Sequence, residues 1–206
     1  MRYRELDAAT AVICAPDGPF PVLEQSVNGM PQRVFGGLPD SLRGYYALVG
    51  AYGDKDCLVY GEQRYTFSEL TQKVAALGRV LVERFGVAKG ERVAIALRNC
   101  PEWCIAFMAI TSVGAVAVPM NSWWQGDELA YALHNSGACL LVVDGARHAR
   151  LSDWLKQSDL ALIGVDTGGA PLPAAVPRLH DLLAGAGESQ LPTVEIAPED
   201  PVLILY

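Results

Sequence analysis

Basic residues are in the minority: 16 Lys and Arg stand against 23 Asp and Glu, a net charge of −7 at neutral pH. Nucleic acid, which rewards clustered Lys and Arg, is excluded as a partner. The same balance makes the chain a poor electrostatic host for a polyphosphate unless basic groups come from elsewhere. Charge of either sign is sparse at 19%, apolar residues make up 51%, and mean hydropathy is +0.20. Either the core is unusually large, or apolar surface is covered by something outside these residues.

No apolar run is long enough for a membrane span; the longest is Trp103 to Ile110. Ala8 to Ala15 is too short for a secretion signal, and Glu5 and Asp7 precede it where positive charge is needed. A cytoplasmic location is therefore expected. The five cysteines (14, 57, 100, 104 and 139) are odd in number and lack a framework spacing. Cys100 and Cys104 would share a helix face, but no second pair of metal ligands lies nearby, since the histidines are at 134, 148 and 180. Buried, reduced thiols and a reducing compartment are expected. Phosphate-binding glycine loops of the usual spacings and the Gly-x-Ser-x-Gly elbow are missing. Gly168-Gly169 sits in a proline-rich stretch that opens no helix. Asp127 and Glu128, being adjacent on a helix, point apart and serve the helix dipole. His134, near a helix end, is read as a solvated or dipole-favoured residue rather than a base.

What is present is the repeat of a layered α/β core. Short β-branched runs begin near Arg92, Ala115, Cys139 and Ala161, about 22 to 24 residues apart, room for a strand, a three-turn helix and two loops. The runs at 115–118 and 139–143 are apolar at every position, as in parallel strands covered on both faces. The expected class is α/β, a mostly parallel sheet flanked by helices, with a small β-hairpin ahead of it.

Residues 1–37, rich in proline and glycine, read as an irregular N-terminal arm, and 38–206 as one α/β subdomain. A helix from Leu42 places Leu42, Tyr45, Tyr46 and Val49 on one stripe and stops at Gly53-Asp54. Cys57–Tyr60 and Gln63–Thr66 form the hairpin, Gly61 coming first in a type II′ turn. Thr66-Phe-Ser-Glu69 is a capping box. Leu70, Val74, Leu77, Leu81 and Phe85 then run down one helical face to Gly86. The helix after Asn99-Cys-Pro101 carries no charge from Trp103 to Ile110 and must be buried all round. A shorter helix spans Asp127–Asn135, with Leu129, Ala132 and Leu133 inward and Gly137 at its end. Residues 166–177 read as a linker or surface loop, followed by a short helix near Leu179–Leu183. Val202–Tyr206 reads as a buried parallel strand, an unexpected place for a protein to stop.

Tyr65-Thr-Phe-Ser-Glu-Leu70, Gly90-Glu-Arg-Val-Ala-Ile, Asn99-x-Pro-Glu-Trp103, Gly114-Ala-Val-Ala-Val-Pro-Met-Asn121 and Glu128-Leu-Ala-Tyr occur in order and in register. Together they resemble the N-terminal region of the adenylate-forming acyl-CoA synthetases, the AMP-binding ligase family, over roughly four-fifths of the chain from Leu38. The Asn121-Ser-Trp123-Trp124 version is most similar to bacterial fatty-acyl and related ligases. The resemblance implies fatty-acid metabolism and the parent reaction of such ligases. ATP activates a carboxylate as acyl-AMP with release of pyrophosphate, and the CoA thiol then takes the acyl group. In the family a strand like Pro201–Tyr206 leads into a Ser/Thr/Gly-rich loop with a lysine, and the Mg²⁺ and ribose ligands and catalytic lysine come later. ATP, Mg²⁺ and CoA are thus implied for the parent and none is expected on these residues. No catalytic, cofactor-binding or metal residue is assigned.

The partners implied are the missing C-terminal part of the same chain, a carboxylic-acid substrate, and other copies through exposed apolar surface. Trp123 and Trp124, following a strand's carboxyl end, are the only candidates for substrate contact; core or interface packing is the alternative for the pair. Gln125-Gly126 stands where the family offers a Thr or Ser cap, which puts that helix start in doubt. Two other readings stay open: a non-catalytic scaffold or binding module, and an aryl-acid or peptide-synthetase adenylation branch.

Overall fold

The computed structural model describes residues 2–185 and 190–206, which divide into two compact units: Met1–Ser41 with Ala197–Glu199, and Leu42–Ile196 with Asp200–Tyr206. The first unit corrects the expectation of an irregular arm. Helix α1 spans Arg2–Ile13, and strands β1 (Val22–Val27) and β2 (Met30–Phe35) pair antiparallel from Val22↔Phe35 to Val27↔Met30. Their two-residue loop is Asn28-Gly29, with φ of 50° and 78°, values that a type I′ hairpin turn requires and that Asn-Gly tolerates best. The prolines at 16, 19 and 21 sit in the connection before the hairpin.

The second unit begins with α2 (Leu42–Gly50). It contains the whole stripe but ends at Gly50, before the expected stop at Gly53-Asp54, and Tyr45 faces solvent while Leu42, Tyr46 and Val49 are half-buried. Strands β3 (Asp56–Tyr60) and β4 (Gln63–Thr66) form the expected hairpin, and Gly61 takes φ 58° at the first loop position. Helix α3 (Phe67–Glu83) starts at the capping box. The Thr66 Oγ1 accepts from the Glu69 N–H at 3.1 Å and the Glu69 carboxylate accepts from the Thr66 N–H at 2.9 Å, so two of the otherwise unpaired amides of the first turn are satisfied.

The core is a four-stranded sheet in the order β6-β5-β7-β8, built from β5 (Arg92–Ala96), β6 (Val116–Pro119), β7 (Leu140–Asp144) and β8 (Ala161–Val165). Every pairing is parallel. Successive residues serve opposite faces. Val93, Ile95, Ala117, Leu140 and Val142 join a core with α3 and α4 (Pro101–Ser112). Ala94, Ala96, Val118, Leu141 and Val143 join a second core with α5 (Gly126–Ser136). Both faces are covered, which is why these strands are apolar throughout. No residue of α4 is exposed. Its outer side meets α2, where the Tyr46 hydroxyl lies 3.2 Å from Thr111 Oγ1 and Arg43 donates to the Ser112 carbonyl at 3.2 Å.

Two further differences concern the later part of the chain, and residues 166–177, read as a linker or surface loop, are described with them. Val202–Tyr206 is not a buried strand. It makes one parallel bridge, Leu203 to Ala117, through hydrogen bonds of 2.9 and 3.0 Å on either side of Ala117, and Leu205 is 71% exposed. A four-residue β6 offers little edge to pair with, and apolar composition alone does not supply a covering layer. Residues 166–177 are a packed surface loop rather than a free tether: Leu172 and Val176 are buried, and Arg178 donates to the Leu172 and Pro173 carbonyls at 2.9 and 3.1 Å. Two short helices that local periodicity did not indicate, α6 (Gly145–Arg150) and α7 (Ser152–Leu155), fill the space between β7 and β8; α8 (Leu179–Ala184) follows as expected. No helix among the described residues is long and apolar enough to cross a membrane.

Candidate functional site

The carboxyl ends of the four parallel strands converge on one edge of the second unit, where parallel sheets leave a crevice. A cleft of about 430 Å³ opens there, walled by Arg98 and Asn99 after β5, Trp123 after β6, Arg147 and Arg150 on α6, and Thr167 after β8. Each wall begins where a buried strand ends and its backbone must find new partners.

Asp144 organises this edge. It ends β7, is completely buried, and caps α6: its Oδ1 accepts from the Arg147 N–H at 3.0 Å. Its Oδ2 accepts from the Arg98 N–H at 3.0 Å and from the Arg147 guanidinium at 2.8 Å. Arg147 donates onward to the Ser122 carbonyl at 2.8 Å. Arg150, one turn later, donates to the Ser122 and Trp124 carbonyls at 3.0 and 2.9 Å. The Asn121 carboxamide oxygen accepts from the Trp123 N–H at 3.0 Å. The Arg147 Nε is buried with no partner.

The two candidate tryptophans separate. Trp123 is 83% exposed and stands at the cleft. Trp124 packs against the second core, edge-on to Tyr206 with ring centroids 6.2 Å apart. The doubtful start of α5 also resolves: Gln125 is the N-cap, and its N–H donates to the Glu128 carboxylate at 2.8 Å, the acid half of a capping box. Asp127 is exposed beside it, with no constellation to act with, and Leu129, Ala132 and Leu133 are buried as expected.

The thiols depart from the expectation of burial. Only Cys100 is buried; Cys14, Cys57 and Cys104 are half-buried and Cys139 is exposed. Burial pushes the Cys100 thiol up to about 12 and raises Cys104 as well, which keeps both protonated and unsuited to nucleophilic work. His148, on α6, is held below the ordinary imidazole value by burial and by the Arg178 guanidinium. His134 and His180 are exposed.

Sequence reasoning missed Arg98, Asp144, Arg147 and Arg150. The available signal was an aspartate at a strand end with arginines three and six positions later, the pattern of a capped short helix. The set does not suit a divalent cation: among the described residues no group of three or more His, Cys, Asp or Glu is placed to hold a metal. Nor does it make a phosphate cradle, since Arg147 and Arg150 are committed to main-chain carbonyls.

Comparison with known proteins places this geometry. A family model described as AMP-binding enzyme matches residues 47–206. The crotonobetaine/carnitine–CoA ligase of Salmonella heidelberg is 27% identical over 166 residues, 77% of this chain and 32% of that protein. A fatty acyl CoA synthetase of Mycobacterium tuberculosis superposes with a TM-score of 0.66 at 22% identity, over 81% of this chain and 32% of that one. The N-terminal subdomain of NpsA from Klebsiella oxytoca, solved with 3-hydroxybenzoyl-AMSN, gives 0.59 at 24% identity, over 80% and 37%. The chain spans about a third of the length of the curated relatives it matches.

Proposed function

The chain belongs to the AMP-binding enzyme family, and on that premise we propose that it is the N-terminal α/β segment of an ATP-dependent acyl-CoA ligase. The acyl-CoA ligases of the family use ATP and Mg²⁺ to make an acyl-adenylate, which CoA then intercepts. The 206 residues contribute the parallel sheet and one wall of the carboxylate cleft. The adenylating groups are assigned to sequence outside them, because the cleft's own donors do not fit the metal or the phosphates.

The observation that carries this reading is Trp123. A large indole held out into solvent at the carboxyl edge of a parallel sheet is placed for contact with an apolar body. The exposed Leu203, Leu205 and Tyr206 beside β6 support a further layer of the same protein covering that edge. Alone, the chain is expected to self-associate through this surface.

ATP–pyrophosphate exchange with a panel of aliphatic and aromatic carboxylic acids tests the reading. The isolated chain is expected to give no exchange, and the chain joined to the remainder of the ligase is expected to restore it. In the restored enzyme Trp123→Ala should raise KM for the carboxylate about 10-fold with kcat nearly unchanged, as loss of uniform binding does. Exchange by the isolated chain, or an unchanged KM, overturns the proposal.

A further inference from the structure

Asp144 makes more contacts than a helix cap needs. A cap uses one side-chain oxygen to satisfy a first-turn amide, and Oδ1 does this for Arg147. The second oxygen is spent on the Arg98 N–H and the Arg147 guanidinium. Removing a carboxylate and a guanidinium from water is costly unless both are well paired. Here the guanidinium reaches beyond its partner to the Ser122 carbonyl, with its Nε left unsatisfied. The arginine's orientation thus follows its two terminal contacts rather than the fullest use of its donors.

We propose that Asp144 is a positioning residue that acts through Arg147 on the loop after β6, and that it makes Trp123, rather than Trp124, the aromatic face offered to a ligand. The proposal rests on the cleft reading above. The carbonyls of Ser122 and Trp124 are both held, one by Arg147 and Arg150 together and the other by Arg150. Trp123 lies between these two fixed points, with its own N–H held by Asn121. Its indole therefore leaves a backbone that has little freedom, while Trp124 is turned inward against the core and Tyr206. A site whose main chain is fixed before binding loses less entropy when it is occupied. The same carboxylate fixes the turn carrying Arg98, so one buried group sets two walls of the cleft.

The test is ¹⁹F NMR of the 206-residue chain labelled with 5-fluorotryptophan, its resonances assigned by single Trp→Phe changes. Arg147→Lys keeps a cation beside Asp144, but a single ammonium lacks the planar fork that spans carboxylate and carbonyl at once. In that variant and in Asp144→Asn, the Trp123 and Trp124 resonances are expected to leave their wild-type positions. The Trp103 resonance, from the opposite face of the sheet, stays in place. Should both variants unfold, with all resonances collapsing together, Asp144→Ser decides: it keeps a capping oxygen for the Arg147 N–H but gives up the guanidinium, and should displace Trp123 and Trp124 with Trp103 unmoved. Trp123 and Trp124 remaining at wild-type positions in a folded variant overturns the proposal. The spectrum is read without ligand, so its outcome is independent of the KM test of the proposed function.

Discussion

Gly145→Ala sets two physical effects against each other. Gly145 is the first residue of α6, and alanine there would favour the helix by up to about 1 kcal/mol. A Cβ built on Gly145, however, collides with the Ala170 carbonyl oxygen and lies 2.7 Å from its carbon. The obstacle is main chain, not the tip of a flexible side chain. The loop bearing it is anchored by buried Leu172 and by the Arg178 hydrogen bonds, so it cannot swing aside freely. Overpacking of this kind costs typically 1–3 kcal/mol, and the backbone contact puts the change near the upper end, about 3 kcal/mol. Subtracting the helix gain leaves about 2 kcal/mol of destabilisation, which lowers the urea midpoint by about 1 M at an m-value of about 2 kcal/mol/M. Gly185→Ala is the control: φ is −77°, the nearest atom is 3.6 Å away, and stability should stay within about 0.5 kcal/mol. Urea titrations followed by circular dichroism give both numbers. Gly145→Ala at or above wild-type stability would refute the reasoning, because propensity would then have outweighed a main-chain collision.

Thr66→Ala removes the oxygen that accepts from the Glu69 N–H and should cost about 1 kcal/mol, or about 2–4 °C in melting temperature for a chain of this size; Thr66→Ser keeps the oxygen and should restore most of it. His148 gives a pH dependence whose sign is fixed by its lowered folded-state value. Its contribution is fully present above about 6.5, the ordinary imidazole value, and is lost as pH falls toward the folded-state value, because only the unfolded chain binds the proton there. His148→Gln should flatten that part of the stability–pH curve; an unchanged slope would show that His148 is not its source.

Much of the sheet could be read from local pattern because its strands are short, apolar at successive positions and evenly spaced, and parallel strands covered on both faces need that composition. The capping box at Thr66 and Glu69 was equally plain, since both halves lie within four residues. What escaped was of three kinds. The Asn28-Gly29 hairpin carries a strong local turn signal, but the glycines and prolines around it read as loop. Helix α6, Gly-Ala-Arg-His-Ala-Arg, has no apolar stripe at all. It is held by Asp144 capping its first turn, by Gly145 against Ala170 and by arginines reaching back to Ser122 and Trp124, most of these contacts lying more than 20 residues apart in sequence. Val202–Tyr206 and Tyr45 failed for the opposite reason: apolar type was visible, but burial depends on what lies across from it.

The cleft follows the same logic for charge. A net −7 argues against an anion site when charge is averaged over the chain, yet interactions between charges matter over about 8–10 Å at physiological salt. The fold gathers Arg98, Arg147 and Arg150 along one cleft, with Arg147 paired to the buried carboxylate of Asp144. This local excess does not by itself make a phosphate site. Arg147 and Arg150 donate to main-chain carbonyls, so their positive charge is spent on shaping a loop, while Arg98 extends from an exposed turn. Counting arginines would have assigned the cleft to a polyanion; following each donor to its acceptor assigns it to the placement of an indole.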